Sequence, residues 1–316
     1  MNSAAKMPSI EARGLRKSYG SRLVLEGVGL AVAAGEVVGL LGPNGAGKTT
    51  MLLILATLLK PDAGEIRIMG QSPRSGEVRL RRKIGFVPQS IALYPSLSSL
   101  QNLELFARLH AFGKRGALDD CLRALKEVGL ADRARNPVAT LSGGMQRRVN
   151  LACGLVHRPE VLLLDEPAVG VDPQSREQIL TTVRKMARDG AAVIYSTHYI
   201  EEVERICDRA LLIDHGRVVA DGTIASLIAL AGGRPRVEIA FEKPAPPGWL
   251  DDLRGVSPVA QSASGGSVTL ELTHLGQVGE LLERARGRGA QVREFSVHNP
   301  NLSDAFIALT GHALRD

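Results

Sequence analysis

The hydrophobic period changes along this chain, and the changes outline its elements. Ile10 to Leu15 and Arg22 to Val32 alternate loosely between apolar and polar positions, which predicts two strands of a small antiparallel sheet. Val37 to Leu41 has no alternation, so it reads as a strand buried on both faces. Thr50 to Leu59 then reads as a helix, and Lys60-Pro61-Asp62-Ala63-Gly64 stops it. Short strands are expected at Glu65 to Met69 and Ile84 to Val87. From Ser98 to Gly129 the period lengthens: Leu100, Leu103, Phe106 and Ala107, then Leu118, Leu122, Leu125 and Val128, recur every three or four residues as in helices. A further helix is expected to start at Ser142 and end near His157-Arg158-Pro159. Val161 to Leu164 and Ala192 to Ser196 repeat the fully apolar strand pattern. A helix at Tyr199 to Cys207 follows, then a hairpin of Ala210 to Ile213 and Val218 to Asp221 around His215-Gly216, and a short helix to about Ala231. Buried strands separated by helices predict an α/β protein with a parallel core sheet.

Composition shifts at Gly232-Gly233-Arg234-Pro235. The tail keeps organised segments: strand Val237 to Phe241, a short helix near Trp249 to Leu253, and strands Val256 to Gln261 and Val268 to Leu272. A helix at Leu275 to Arg286, strand Gln291 to Val297 and helix Leu302 to Leu309 complete it. That order predicts a small α+β domain of ferredoxin-like type. Two domains are therefore expected, residues 8–231 and 236–316, the first containing a helical subdomain at about 90–157.

With 316 residues and 44% apolar content the chain can bury a sizeable core. Its longest clean apolar run, Met51 to Leu59, is about half the roughly 20 residues a membrane-spanning helix needs. Met1 to Ser9 has no apolar stretch like that of a signal peptide. A soluble, cytoplasmic chain is the expectation. Cys121, Cys153 and Cys207 lie far apart, which speaks against a zinc site or redox pair and predicts buried thiols. The formal charge of +6 could suit nucleic acid or an anionic membrane, but 3% aromatics leave little to stack on bases.

The chemistry centres on Gly42-Pro43-Asn44-Gly45-Ala46-Gly47-Lys48-Thr49, followed by Thr50. A glycine-rich turn between a buried strand and a helix curls its N–H groups into an anion cradle, and the helix adds its positive end. Lys48 would serve the β- and γ-phosphates and Thr49 a Mg²⁺ ion. A glycine-rich turn that binds nothing is the plainer alternative. Leu141-Ser142-Gly143-Gly144-Met145-Gln146 is either a second anion-binding helix start or simply a Ser-capped helix. Asp165 and Glu166 end a buried strand, where ligands of α/β sheets gather. Asp165 would hold Mg²⁺ through its hydration shell, and Glu166 would polarise an attacking water; otherwise both are solvated acids. His198, after another buried strand, could reach a γ-phosphate. Gln89, after Pro88 at a strand end, could bind a metal ion or water through its carbonyl. Tyr19, beside Gly20 in a turn, is either a base-stacking ring or an ordinary turn aromatic.

Taken together, these residues resemble the ATPase subunit of ATP-binding cassette (ABC) transporters over about Pro8 to Ala231. The resemblance implies ATP and Mg²⁺ as cofactors. It makes Tyr19 the adenine-stacking ring, Gln89 the Q-loop glutamine and Glu166 the catalytic carboxylate. His198 becomes the switch histidine, and Asp172 in Gly170-Val171-Asp172-Pro173 the D-loop aspartate. It implies two cassettes packed head to tail, with Ser142 and Gly144 of one chain on the γ-phosphate held by the other, hence a homodimer. It also implies a separate multi-spanning permease and a place on the cytoplasmic face of the membrane. Gly170 to Pro173 and the ending Asn299-Pro300-Asn301-Leu302-Ser303-Asp304-Ala305-Phe306 resemble the drug-resistance and nodulation type of bacterial ABC-2 exporter ATPases. A drug-, lipid- or polysaccharide-like cargo follows from that resemblance, and no nucleic acid is expected. The alternative is a cassette working on ribosomes or DNA, although the paired cassettes and coiled coils of those relatives are not found in this sequence.

Overall fold

The computed structural model describes residues 8–73, 77–111, 117–230, 232, 234–244, 248–250, 253–262 and 266–313. They fall into two compact units, one running to Ile224 and the other from Ala225 to Ala313.

The first unit contains two sheets. Strands β1 (Ile10–Tyr19), β2 (Arg22–Val32) and β4 (Ala63–Ile68) form an antiparallel sheet with β1 in the middle. The second sheet has the order β5-β6-β7-β3-β8-β9: β5 (Ile84–Val87), β6 (Val161–Asp165), β7 (Ala192–Thr197), β3 (Val37–Leu41), β8 (Arg209–Asp214) and β9 (Arg217–Thr223). The first five are parallel, and β9 pairs antiparallel at the edge. This explains the uninterrupted apolar runs. Leu162 and Leu164 of β6 join a core with helices α3 (Ser99–Ala111), α4 (Ala117–Glu127), α5 (Gly143–Leu155) and α6 (Pro173–Arg188). Val161 and Leu163, one residue out of phase, join a second core with α1 (Lys48–Leu55) and the antiparallel sheet. Both faces are covered, so a period of two has no polar side to display.

Several boundaries differ from expectation. Helix α1 begins at Lys48 and stops at Leu55, short of Leu59. Thr57 takes a left-handed φ of 60°, which no helix can continue through. Strand β1 extends through Tyr19, so this tyrosine closes a strand opposite Arg22 and is not a turn residue. A short helix α2 (Glu77–Arg81) precedes β5, and α7 (Ile200–Ile206) follows β7. Among the described residues no helix is long and apolar enough to cross a membrane.

Helix α8 (Ile224–Leu230) leads into the second unit. There β10 (Arg236–Phe241), β11 (Val256–Gln261), β12 (Ser267–Leu272) and β13 (Val292–His298) form a sheet of order β11-β12-β10-β13 in which every pairing is antiparallel. The first strand thus lies between the third and the fourth, the split arrangement of a ferredoxin-like unit. Only turn residues are described at 248–250, and the remainder of the helix expected to Leu253 falls partly outside the described residues. Helix α9 (Gln277–Gly287) sends Leu281 and Ala285 into a core with Val237, Ile239, Leu270 and Trp249. Helix α10 (Leu302–Thr310) opens with a capping box between Asn301 and Asp304 and ends at Gly311 in the left-handed region.

Candidate nucleotide site

The glycine-rich turn after β3 owes its shape to close packing as much as to φ. Gly45 and Gly47 have φ of 84° and 105°, where a side chain is strained. A β-carbon on Gly47 would also lie 2.7 Å from Leu25 Cδ2. At Gly42 it would collide with the Ile213 carbonyl on β8. Ala46 is buried, and its N–H closes the turn onto the Pro43 carbonyl at 3.2 Å. Asn44 and Gly45 remain exposed.

Lys48 opens α1 but turns its ammonium back under the loop. Nζ donates to the Gly42 carbonyl at 2.7 Å and the Pro43 carbonyl at 3.1 Å, and stands 3.4 Å from Glu166 Oε1. Lysine and glutamate are 5% and 6% exposed. Burial lowers the Lys48 pKa from its ordinary 10.5, and the Glu166 charge only partly restores it.

Asp165 and Glu166 end β6. Asp165 is 1% exposed, and each of its oxygens accepts one hydroxyl proton, from Thr49 Oγ1 at 2.7 Å and from Ser196 Oγ at 2.7 Å. Glu166 departs from the strand with φ of 45°, an uncommon conformation for a side-chain-bearing residue. Its N–H is held by the Ser196 carbonyl and hydroxyl, both at 3.1 Å. Its carboxylate accepts from Gln89 Nε2 at 3.2 Å, and His198 Nδ1 lies 3.3 Å from Oε1 without hydrogen-bonding geometry.

Tyr19, Asn44, Gly45, Gly47, Lys48, Thr49, Thr50, Gln89 and Glu166 line one cleft of about 610 Å³, together with Arg22 and Val24. That volume suits a small ligand. A larger cleft, about 890 Å³, lies at the C-terminal end of α1 around Leu58 to Ile66 and contains none of these residues. The donors Thr49, Asp165 and the Gln89 carbonyl are all oxygen, the type Mg²⁺ takes. The Gln89 amide nitrogen is engaged by Glu166, which leaves its oxygen end for a cation or water. Both Asp165 oxygens already accept a hydrogen bond from a hydroxyl, which suits a cation held through its water shell. The donor set fits the ion.

Ser142, Gly143 and Gly144 do not line this cleft. Ser142 caps α5, its hydroxyl accepting from the Met145 N–H at 3.3 Å, and Ser142 and Gly143 are exposed. Gly144 is buried against the start of α6, where Asp172 accepts from the Ser175 N–H at 2.8 Å.

Three neighbours of the site were not expected from the sequence. Ser196 is one, and a hydroxyl ending an otherwise apolar strand was its only signal. Arg147 donates to the backbone carbonyl of Gln89, and burial lowers its pKa while the Glu166 charge raises it. Its position on α5 gives no sequence signal. Arg22 lines the cleft beside Gly45.

Comparison with known proteins gives concordant results. The family described as "ABC transporter" matches residues 25–169. The linearmycin resistance ATP-binding protein LnrL of Bacillus subtilis is 36% identical over 310 residues, covering 97% of this chain and all of that protein. The Nod factor export ATP-binding protein I of Burkholderia orbicola is 38% identical over 309 residues, covering 97% of this chain and 98% of that one. Among solved structures, the dimeric post-hydrolysis state of the ATP-binding cassette MJ0796 bound to ADP and Pi superposes with a TM-score of 0.63 at 31% identity, covering 68% of this chain and 98% of that one.

Proposed function

The chain belongs to the ATP-binding subunits of ABC transporters, of the type that includes drug-resistance and Nod factor export proteins, and is an ATPase; from that premise we propose that two copies bind and hydrolyse MgATP head to tail and drive a separate membrane permease. The observation that supports this reading most is the convergence on Glu166: Lys48, Gln89 and His198 surround one buried carboxylate at the edge of a ligand-sized cleft.

In this reading Tyr19 stacks on the adenine, the loop from Gly42 to Thr49 holds the phosphates with Thr50 beside it, and Lys48 exchanges its loop carbonyls for phosphate oxygens. Water attacks the γ-phosphorus, its proton passes to the Glu166 carboxylate, and the bond to the β–γ bridging oxygen breaks to release ADP. Gln89 and His198 orient the water and the γ-phosphate. Thr49, Asp165 and Gln89 would hold Mg²⁺, which when bound neutralises phosphate charge. Ser142, Gly143 and Gly144 stand outside their own cleft and serve the partner's γ-phosphate, with the α5 N-terminus adding its dipole. Losing that phosphate removes the glue between copies, a ligand-driven two-state switch.

The chain then sits at the cytoplasmic face of the membrane through its permease, with a drug-, lipid- or polysaccharide-like cargo chosen there. The test is a pull-down from detergent-solubilised membranes with tagged Glu166→Gln chain and MgATP. Recovery of a multi-spanning membrane protein is expected. Recovery of ribosomes or DNA-bound material without one would overturn the transport role.

A further inference from the structure

Strand β7 lies between β3, which leads into the phosphate loop, and β6, which ends in the acids. Its residue Ser196 is the register partner of Asp165. Paired residues of adjacent parallel strands stand side by side, so this hydroxyl reaches the carboxylate without leaving its own strand. Ser196 has no exposure at all, and a buried hydroxyl without partners would be costly.

Its partners fix its polarity. A hydroxyl has one proton and two lone pairs. The hydroxyl donates to the Asp165 carboxylate, at 2.7 Å. The Glu166 N–H then donates into a lone pair, at 3.1 Å. One side chain therefore touches two consecutive residues in two ways. It holds the Asp165 carboxylate from the side opposite Thr49, and it helps secure the peptide that turns Glu166 into its uncommon φ of 45°. With that turn the Glu166 side chain meets Lys48 and Gln89.

We propose that Ser196 is a positioning residue for the hydrolytic reaction, one hydroxyl that sets the direction of both the metal-facing carboxylate of Asp165 and the proton-accepting carboxylate of Glu166. This rests on the roles given above to Asp165 and Glu166. Removing the hydroxyl leaves the Ser196 carbonyl still bound to the Glu166 N–H, so the turn keeps one of its two bonds while the side chains lose the contact that aligns them.

The test compares Ser196→Ala and Ser196→Thr with the parent in the full chain. In Ser196→Ala, kcat is expected to fall about 10- to 100-fold while KM for ATP stays within about threefold, the split that marks an interaction made in the transition state. Ser196→Thr, which keeps the hydroxyl, is expected to recover most of the rate. A second readout needs no turnover. In a Glu166→Gln background, the factor by which Mg²⁺ tightens ATP binding over EDTA should shrink by about two- to threefold in Ser196→Ala, in step with the small change in KM, while binding in EDTA stays the same. If Ser196→Ala fails to fold, Ser196→Cys, with a similar volume and a weaker donor, takes its place and should show the same split. Parent-like kcat and an unchanged Mg²⁺ effect in a folded variant would overturn the proposal. A parent without Mg²⁺-dependent turnover, or one unaffected by Glu166→Gln, would instead overturn the underlying roles of Asp165 and Glu166.

Discussion

Gly144 and Asp172 are packed so tightly that a β-carbon on the glycine would collide with the aspartate's Oδ2, and would lie 2.8 Å from Ser175 Cβ. The start of α5 and the start of α6 thus share one contact, and the residue type at 144 is set by sterics. Gly144→Ala must displace the Asp172 cap of α6. Overpacking of this kind costs about 1–3 kcal/mol. Thermal or urea unfolding of Gly144→Ala should show that loss. Gly143→Ala, with nothing near its β-carbon position and no positive φ, should show no loss.

Lys48 and Glu166 form a nearly dry ion pair. Breaking such a pair by removing one partner costs roughly 3–5 kcal/mol at the buried limit. Lys48→Ala is expected to lose stability within that range or just below it, since Glu166 keeps its bond from Gln89. ATP binding should weaken by roughly 10- to 100-fold with the lost charge-assisted bonds. Isothermal titration with ATP and urea unfolding measure the two effects separately.

Glu166→Gln removes the proton acceptor proposed above but keeps the shape. ATP binding should persist while turnover falls by at least about 100-fold, the usual scale of general-base loss. The lost negative charge also removes the main influence raising the Lys48 pKa, so that pKa should drop further below 10.5. Labelling of Lys48 by an amine reagent as a function of pH would register the shift.

Asp208 ties the start of β3 to α6. It accepts from the Val37 N–H at 2.8 Å and takes the Arg184 fork at 2.7 and 2.9 Å. Burial pushes its carboxyl up, but the guanidinium and the N–H more than offset this, and its pKa lies below the ordinary 3.8. A carboxylate lowered by folding stabilises the fold above its unfolded pKa, and the contribution disappears as pH falls through the lower folded value. Urea unfolding between about pH 5 and pH 2 should therefore show a shallower acid loss in Asp208→Asn than in the parent.

The parallel core was readable because its strands, such as Val161 to Leu164, carry no polar face, and only burial on both sides explains that. The element order of the second unit was readable from turn residues, while the sheet order needed the structure because strand pairing is non-local. Helix ends were less legible: the early stop of α1 depends on the left-handed Thr57, which no sequence preference announces. Motif residues declared themselves by type and spacing. Ser196 and Arg147 did not, because their contacts depend on which strand or helix the fold places beside Gln89, Asp165 and Glu166. The same applies to Arg22, which enters the cleft only because β1 extends through Tyr19 and turns there.

In the head-to-tail arrangement proposed above, each hydrolytic site is shared between two copies. Mixing two inactive variants probes this sharing: Lys48→Ala, with a damaged phosphate loop, and Ser142→Arg, with a damaged α5 start. Each alone should be inactive. In a head-to-tail pair, one mixed dimer combines the intact loop of one chain with the intact Ser142 of the other. An equal mixture, dissociated and reassembled with the permease, should regain up to about a quarter of parental ATP turnover, since half the dimers carry one good site of two. A mixture as inactive as its separate components would contradict the shared site.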